Sequence, residues 1–285
     1  MNANENASPD ACRLLATSTL TFETRDRVGW VRFARPEIRN PLDLALRKDL
    51  MSVLELVRDD SEIRSLVIAG TPGAFSAGGN LNEIKEKSVA GPAYWQQRLQ
   101  FGLRLINDLL HLSRPVITVV DGPAYGAGFA FALAADMVLA SPRAKFCMSY
   151  LKLGLVPDVG ALYLLPRIVG QQRAKELILS TRVVDADEAA RLGIVMEVHP
   201  GEVIEERAHR IAVSMTHTAR AAVTLTKAAL NASLDSGQST MFTLEAASQA
   251  AAFSDAEAHE AIDAMHGKRP PPYQWPENVP ATNGR

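Results

Sequence analysis

Apolar and polar positions along the chain change period several times, and each change marks a new element. Leu20 to Thr24 and Gly29 to Phe33 are rich in β-branched and aromatic residues and flank Arg25-Asp26-Arg27-Val28, a pattern that predicts a hairpin. From Asp43 to Arg58 the spacing becomes helical: Leu44, Leu46, Leu50, Leu54 and Val57 fall mostly on one face, with Asp43 placed as the cap. Ser65 to Ala69 is a short apolar run that reads as a strand. Tyr94 to Leu112 returns to helical spacing behind Pro92, and Pro115 to Val120 is apolar throughout, as a buried strand is. A turn and a helix through Phe129 to Ala135 follow, then short strands at Val138 to Ala140 and Lys145 to Phe146. Gly170 separates two helices, Gly160 to Val169 and Gln171 to Ser180. Past Glu202 the alternation stops. The stretch to His266 is alanine-rich and almost wholly helical, with breaks near His217 and at Asp235 to Gly237, which sets it apart as a terminal helical subdomain.

These patterns divide the chain into a polar leader (1–15), an α/β core (16–200), a helical region (201–267) and a tail (268–285) that carries Pro270-Pro271-Pro272. Both ends are expected to be extended or disordered. With 285 residues, 47% of them hydrophobic, the chain can bury a sizeable core. A net charge of −2, with acids and bases interspersed, offers no electrostatic footprint for nucleic acid or an anionic membrane. The longest apolar stretch, Gly126 to Ala135, is too short to span a bilayer, and the opening MNANENASPD lacks the basic and apolar segments of a signal, so a cytoplasmic protein is expected. Cys12 and Cys147 stand far apart without a motif, and no disulfide framework is expected. The six histidines show no metal-ligand spacing, and the glycines match neither dinucleotide nor P-loop patterns.

Two glycine-rich turns carry the chemical signal. Phe75-Ser76-Ala77-Gly78-Gly79-Asn80 and Gly126-Ala127-Gly128 each follow a run read as a strand. Turns of this kind expose backbone N–H groups, and two of them brought together could hold one developing negative oxygen. On turn chemistry alone Gly79 is equally a glycine needed for positive φ, and Ala127 a small residue that permits close helix packing.

Those turns belong to a longer pattern. Arg35-Pro36-Glu37 with Asn40, the turn from Phe75 to Asn80, the segment from Arg114 to Gly128, Leu153-Gly154-Leu155-Val156-Pro157-Asp158-Val159-Gly160 with Leu165-Pro166-Arg167, and Ala186 to Gly193-Ile194-Val195 occur in that order. Together they resemble the crotonase family, the enoyl-CoA hydratase and isomerase superfamily, over almost the whole chain. The resemblance implies an α/β, crotonase-like spiral of ββα units, an acyl-CoA site in the core, and a C-terminal helical subdomain that builds a homotrimer or hexamer. It implies an acyl-CoA thioester as ligand and no cofactor beyond the coenzyme A of that substrate.

Carried over residue by residue, the family motif gives the oxyanion donors as the N–H groups of Gly79 and Ala127. Hydratases of the family use two glutamates to hold water and move protons; here those positions are Ala130 and Tyr150, which disfavours ordinary hydration. Asp158 matches the aspartate of isomerising and dehalogenating relatives and is the first choice as base. As a sequence pattern alone, Pro157-Asp158 is more often a helix cap, and the two roles can coexist. Asn80 reads as a turn residue and Asp136 as a structural hydrogen-bond acceptor. Lys268, Arg269 and Arg35 are candidates for the coenzyme A phosphates, with solvated charge as the plainer reading, and Phe253 for the acyl or pantetheine channel, with a core or subunit contact as its alternative. The function expected is double-bond isomerisation of a straight or cyclic enoyl-CoA. An atypical hydratase using Tyr150, an enzyme with Asp158 as nucleophile, and a non-catalytic acyl-CoA binder are the alternatives.

Overall fold

In a computed structural model that describes residues 14–277, the first hairpin pairs as its alternation requires. β2 (Leu20–Arg25) is antiparallel to β3 (Val28–Phe33), with Leu20 and Phe22 turned into the core. A preceding strand, β1 (Leu14–Ala16), pairs antiparallel with β2, so Leu14 and Leu15 are ordered rather than part of a loose leader. The rest of that leader, Cys12 included, lies outside the described residues.

α1 (Leu44–Asp59) starts where its cap predicts, the Asp43 carboxylate accepting from Leu46 N–H. β4 (Ser65–Ala69) follows, then α2 (Leu81–Glu86) and α3 (Pro92–Leu110). α2 is too short to show a period; Asn80 caps it, accepting from Asn82 and Glu83 N–H, as a turn-ordering residue should. β5 (Val116–Val120), β6 (Pro123–Tyr125), α4 (Ala127–Ala132), β7 (Met137–Ala140) and β8 (Lys145–Cys147) form the middle of the chain. Next come α5 (Ala161–Val169), α6 (Gln171–Ser180), β9 (Val184–Asp185), α7 (Ala186–Arg191) and β10 (Glu197–Val198). The helical region resolves into α8 (Ile204–Thr216), α9 (Arg220–Ser233), α10 (Gln238–Ala252) and α11 (Ala256–His266). Two of its breaks fall where predicted, and a third, at Phe253–Asp255, was not marked by glycine or proline.

The main sheet has the order β1-β2-β3-β4-β5-β7-β10, parallel from β3 onward; β6, β8 and β9 form a second sheet. Burial on both faces explains the unbroken apolar runs of β4 and β5. One face packs on α1, α3 and α4 residues, among them Leu50, Leu105 and Phe131; the other packs on Ile204, Ala208 and Ile211 of α8. Among the described residues no helix is long and apolar enough to cross a membrane. The tail does not float free as far as it is described: the Pro276 and Glu277 carbonyls accept from buried Arg207 of α8. Residues 278–285 lie outside the described part.

Candidate active site

The parallel strands β4 and β5 end side by side, which brings the turns that follow them together. Ser76 and Ala124 form a bridge, and Tyr125 N–H donates to Ser76 O at 2.9 Å. The approach is close enough to demand glycine. A Cβ on Gly78 would stand 2.5 Å from Tyr125 O and 3.2 Å from Ala127 N, and one on Gly128 would stand 2.6 Å from Ser76 O. Gly78, with φ of +89°, takes the left-handed turn conformation; Gly79 does not, so positive φ is not what selects glycine there. Among the described residues neither Gly79 N–H nor Ala127 N–H has a protein acceptor. Ala127 opens α4, so its amide is one of those a helix leaves unpaired.

A third segment closes on this pair from the side. Tyr150, in a 3-10 turn (Ser149–Leu153), has Cζ 3.9 Å from where a Gly126 Cβ would be, and its hydroxyl donates to Asp158 O at 3.2 Å. Burial, reinforced by the nearby Asp158 carboxylate, pushes the Tyr150 phenol well above its usual value, so it stays protonated and acts as a donor. Asp158 is not a cap. α5 begins at Ala161 with Gly160 at its N-cap and no side-chain hydrogen bond, correcting the cap reading of Pro157-Asp158. Val159 and Gly160 both have positive φ, +52° and +79°. For a buried β-branched valine that conformation costs on the order of 1–3 kcal/mol, a strain held by the surrounding packing. Asp158 Oδ1 is left buried and without a hydrogen-bond partner. Burial raises the Asp158 carboxyl above its ordinary range, against the pull of the Tyr150 hydroxyl, Arg47 and Arg98.

Arg47, Glu83, Arg98 and Gly102 were not singled out from the sequence. Arg47 is 4% exposed although it sits in the apolar stripe Arg47-Leu50-Leu54-Val57 of α1; that interruption was the available signal. Its Nε donates to Leu42 O, and Leu42 N–H donates to Gly78 O at 2.7 Å. Burial lowers the Arg47 guanidinium, opposed first by Asp158. Arg98 is held by both carboxylate oxygens of Glu83.

Other predicted residues sit elsewhere. Ala130 is fully buried in α4. Arg35 is engaged by Asp43 through two hydrogen bonds, at 2.8 and 2.9 Å, and by Pro41 O, which makes it a brace of its loop. Asp136 accepts from Val116 N–H and Lys227 Nζ, each at 2.7 Å, the structural role expected. Phe253, Lys268 and Arg269 flank α11, whose first turn is tied by Glu257 to Arg64 at the start of β4, the end remote from the turns. Within this chain they make no hydrogen bond or ion pair with Gly79, Ala127, Tyr150 or Asp158. A cavity of about 1110 Å³ between α3, α5 and α9 reaches Gly160, but none of those four residues lines it.

The fold and site define an α/β scaffold with free backbone amides in two adjoining turns, the second linked through Tyr150 to the segment that carries a buried carboxylate. The model of the enoyl-CoA hydratase/isomerase family matches residues 23–276, and the chain belongs to that family, the crotonase superfamily. It is 31% identical over 253 residues to a probable enoyl-CoA hydratase of Rhodobacter capsulatus, covering 89% of this chain and 96% of that one. It is 33% identical over 241 residues to the 1,2-epoxyphenylacetyl-CoA isomerase of Escherichia coli, covering 84% and 92%. The crystal structure of an enoyl-CoA hydratase/isomerase from Cupriavidus metallidurans CH34 superposes with a TM-score of 0.90 at 59% identity, over 93% of this chain and all of that one.

Proposed function

We propose that this enzyme is an acyl-CoA double-bond isomerase that works through a thioester enolate. Gly79 and Ala127 N–H groups donate to the thioester oxygen, which acidifies the α-carbon and holds the enolate; each such donor is worth about 3 kcal/mol in the transition state. Asp158 takes the α-proton, and the acid so formed returns a proton at the γ-carbon, moving a 3-enoyl thioester to the 2-enoyl form. The group is regenerated at each turnover, and the reading asks for no metal or redox cofactor.

The observation that carries this reading is the buried, unpartnered Oδ1 of Asp158, on a segment joined by Tyr150 to the turn that presents the unpartnered Ala127 amide. Hydration would need a second proton-moving group. Ala130 has none, Tyr150 is held protonated, and Glu83 is spent on Arg98. Relatives carry both hydratase and isomerase names, so the choice rests on these residues. The test is conversion of 3-enoyl-CoA to 2-enoyl-CoA by wild type and by D158N. Wild-type turnover with a loss of at least about a hundredfold in D158N supports the assignment, and unchanged turnover in D158N rules it out.

We also assign the C-terminal helices to subunit assembly. α10 buries none of its residues within the chain, and Phe242 and Leu230 are 60% and 66% exposed. Apolar surface on that scale is ordinarily covered by a partner, and a homotrimer or a hexamer built from two would cover it.

A further inference from the structure

We infer that Arg35 is a positioning residue for the oxyanion donor, aiming the Gly79 N–H through two hydrogen-bonded peptide units. The inference rests on the proposed role of the Gly79 amide, and adds the residue that sets its direction.

The contacts run without a gap. Arg35 Nη2 donates to Pro41 O at 3.0 Å, and the N–H of that same peptide unit, on Leu42, donates to Gly78 O at 2.7 Å. Gly78 O and Gly79 N–H belong in turn to one peptide unit. Because the unit is planar and trans, its carbonyl and its N–H point in opposite directions, so a bond that fixes the first aims the second. Gly78, at a φ of +89°, is the residue type with the most backbone freedom to restrain, which makes the hold from Leu42 matter. Leu42 is also fixed from its other peptide, where its carbonyl accepts from Arg47 Nε at 2.9 Å.

The anchor is rigid. Asp43 grips both terminal nitrogens of Arg35, at 2.8 and 2.9 Å, and the two side chains are only 15% and 10% exposed. Burial pushes the Asp43 carboxyl up, but the hydrogen bonds from Arg35 and Leu46 N–H outweigh it and hold the group below its ordinary range, so the pair stays ionised. Between Arg35 and Pro41 the chain takes left-handed φ at Arg39 and Asn40, +60° and +49°, a conformation that asparagine tolerates. The Asn40 side chain locks it, accepting from Arg35 N–H at 2.9 Å and donating to Thr71 Oγ1 and Ala74 O, each at 3.0 Å. Ala77 N–H, donating to Arg39 O at 2.8 Å, ties this loop to the oxyanion turn a second time. Arg35 Nε is left buried without a partner, a cost of about 1–3 kcal/mol that the fold carries while the terminal nitrogens keep Asp43 and Pro41 O. A cation at the head of two linked peptides also polarises them, strengthening each bond by about 10–30%.

Infrared difference spectra of bound hexanoyl-CoA, isotopically labelled at its thioester carbonyl, test this without turnover, because a saturated thioester has no double bond to move. They are recorded with wild type, R35K and R35M/D43N. The double variant removes both charges, so no buried charge is left alone, and asparagine can still cap α1. R35K keeps a cationic donor and carries the test if the double variant does not fold. Wild type is expected to lower the carbonyl stretch, and R35M/D43N to lose about half of that lowering or more, as loss of one of two donors should give. R35K should fall between them, and all three should bind free coenzyme A equally. Variants that melt earlier but keep the full carbonyl shift would reduce Arg35 to a brace of its loop and overturn the inference. A shift lost only in proportion to lost coenzyme A affinity would overturn it as well. Either result leaves the oxyanion reading standing, whereas a wild type that does not move the carbonyl stretch would sink that reading and the inference together.

Discussion

Asp158 is the proposed base, and its environment makes opposite demands on activity and stability. Its folded carboxyl is raised above the unfolded value, chiefly by burial. The sign of the linkage follows: whatever stability it contributes is fully present below the unfolded pKa and is lost as pH rises through the folded one. Ionised Asp158 therefore weakens the fold, while in the proposed reaction the same ionised form is the base. D158N is expected to melt above wild type at neutral pH, by about 2–4 °C for each kcal/mol recovered, and that gap should shrink in acid; a gap that widens in acid would contradict the burial argument. Isomerisation should in turn fall on the acid side with an apparent pKa above the ordinary carboxylate range, read from kcat/KM against pH.

The proposed active elements are two turns and one strained connection, and the substitution costs there differ in kind. Gly78→Ala must push a methyl group to 2.5 Å from the Tyr125 carbonyl in a left-handed backbone, and should lower kcat/KM by about a hundredfold or more. Gly79→Ala meets only the Ile84 Cδ1 tip, at 2.9 Å, and should cost far less, since in the proposed mechanism its amide and not its missing side chain carries the function. Equal losses in the two variants would show that side-chain space and not amide placement sets the rate. The same contrast explains what the sequence disclosed. Long helices such as α1 and α6 were legible because burial on one face leaves a repeat, and β4 and β5 because burial on both faces leaves an unbroken apolar run. The two turns were legible through their glycines. β1, α2, β9 and β10 span six residues or fewer and carry no continuous apolar run or clear alternation to mark them. Arg47 was hidden because an arginine within an apolar stripe reads as a break in the pattern until Leu42, Gly102 and Asp158 are seen around it. The cap alternative for Asp158 stood because local sequence does not reveal that Val159 takes a left-handed φ and that the helix starts only at Ala161, with Gly160 as its N-cap.

At the scale of the whole molecule, a two-faced sheet fixes the turns, while the C-terminal helices leave large apolar side chains uncovered. Light scattering in solution should give three or six times the 30.9 kDa chain mass, and Phe242→Asp should shift it toward the monomer; a wild-type monomer would contradict the assembly assignment. The account's central claim is that the folded enzyme turns an acyl-CoA thioester into its enolate between Gly79, Ala127 and Asp158. Its most direct measurement is mass-spectrometric uptake of solvent deuterium at the α-carbon of a saturated acyl-CoA. The account predicts incorporation by wild type and its collapse in D158N; a wild type that binds the thioester and exchanges nothing would contradict it.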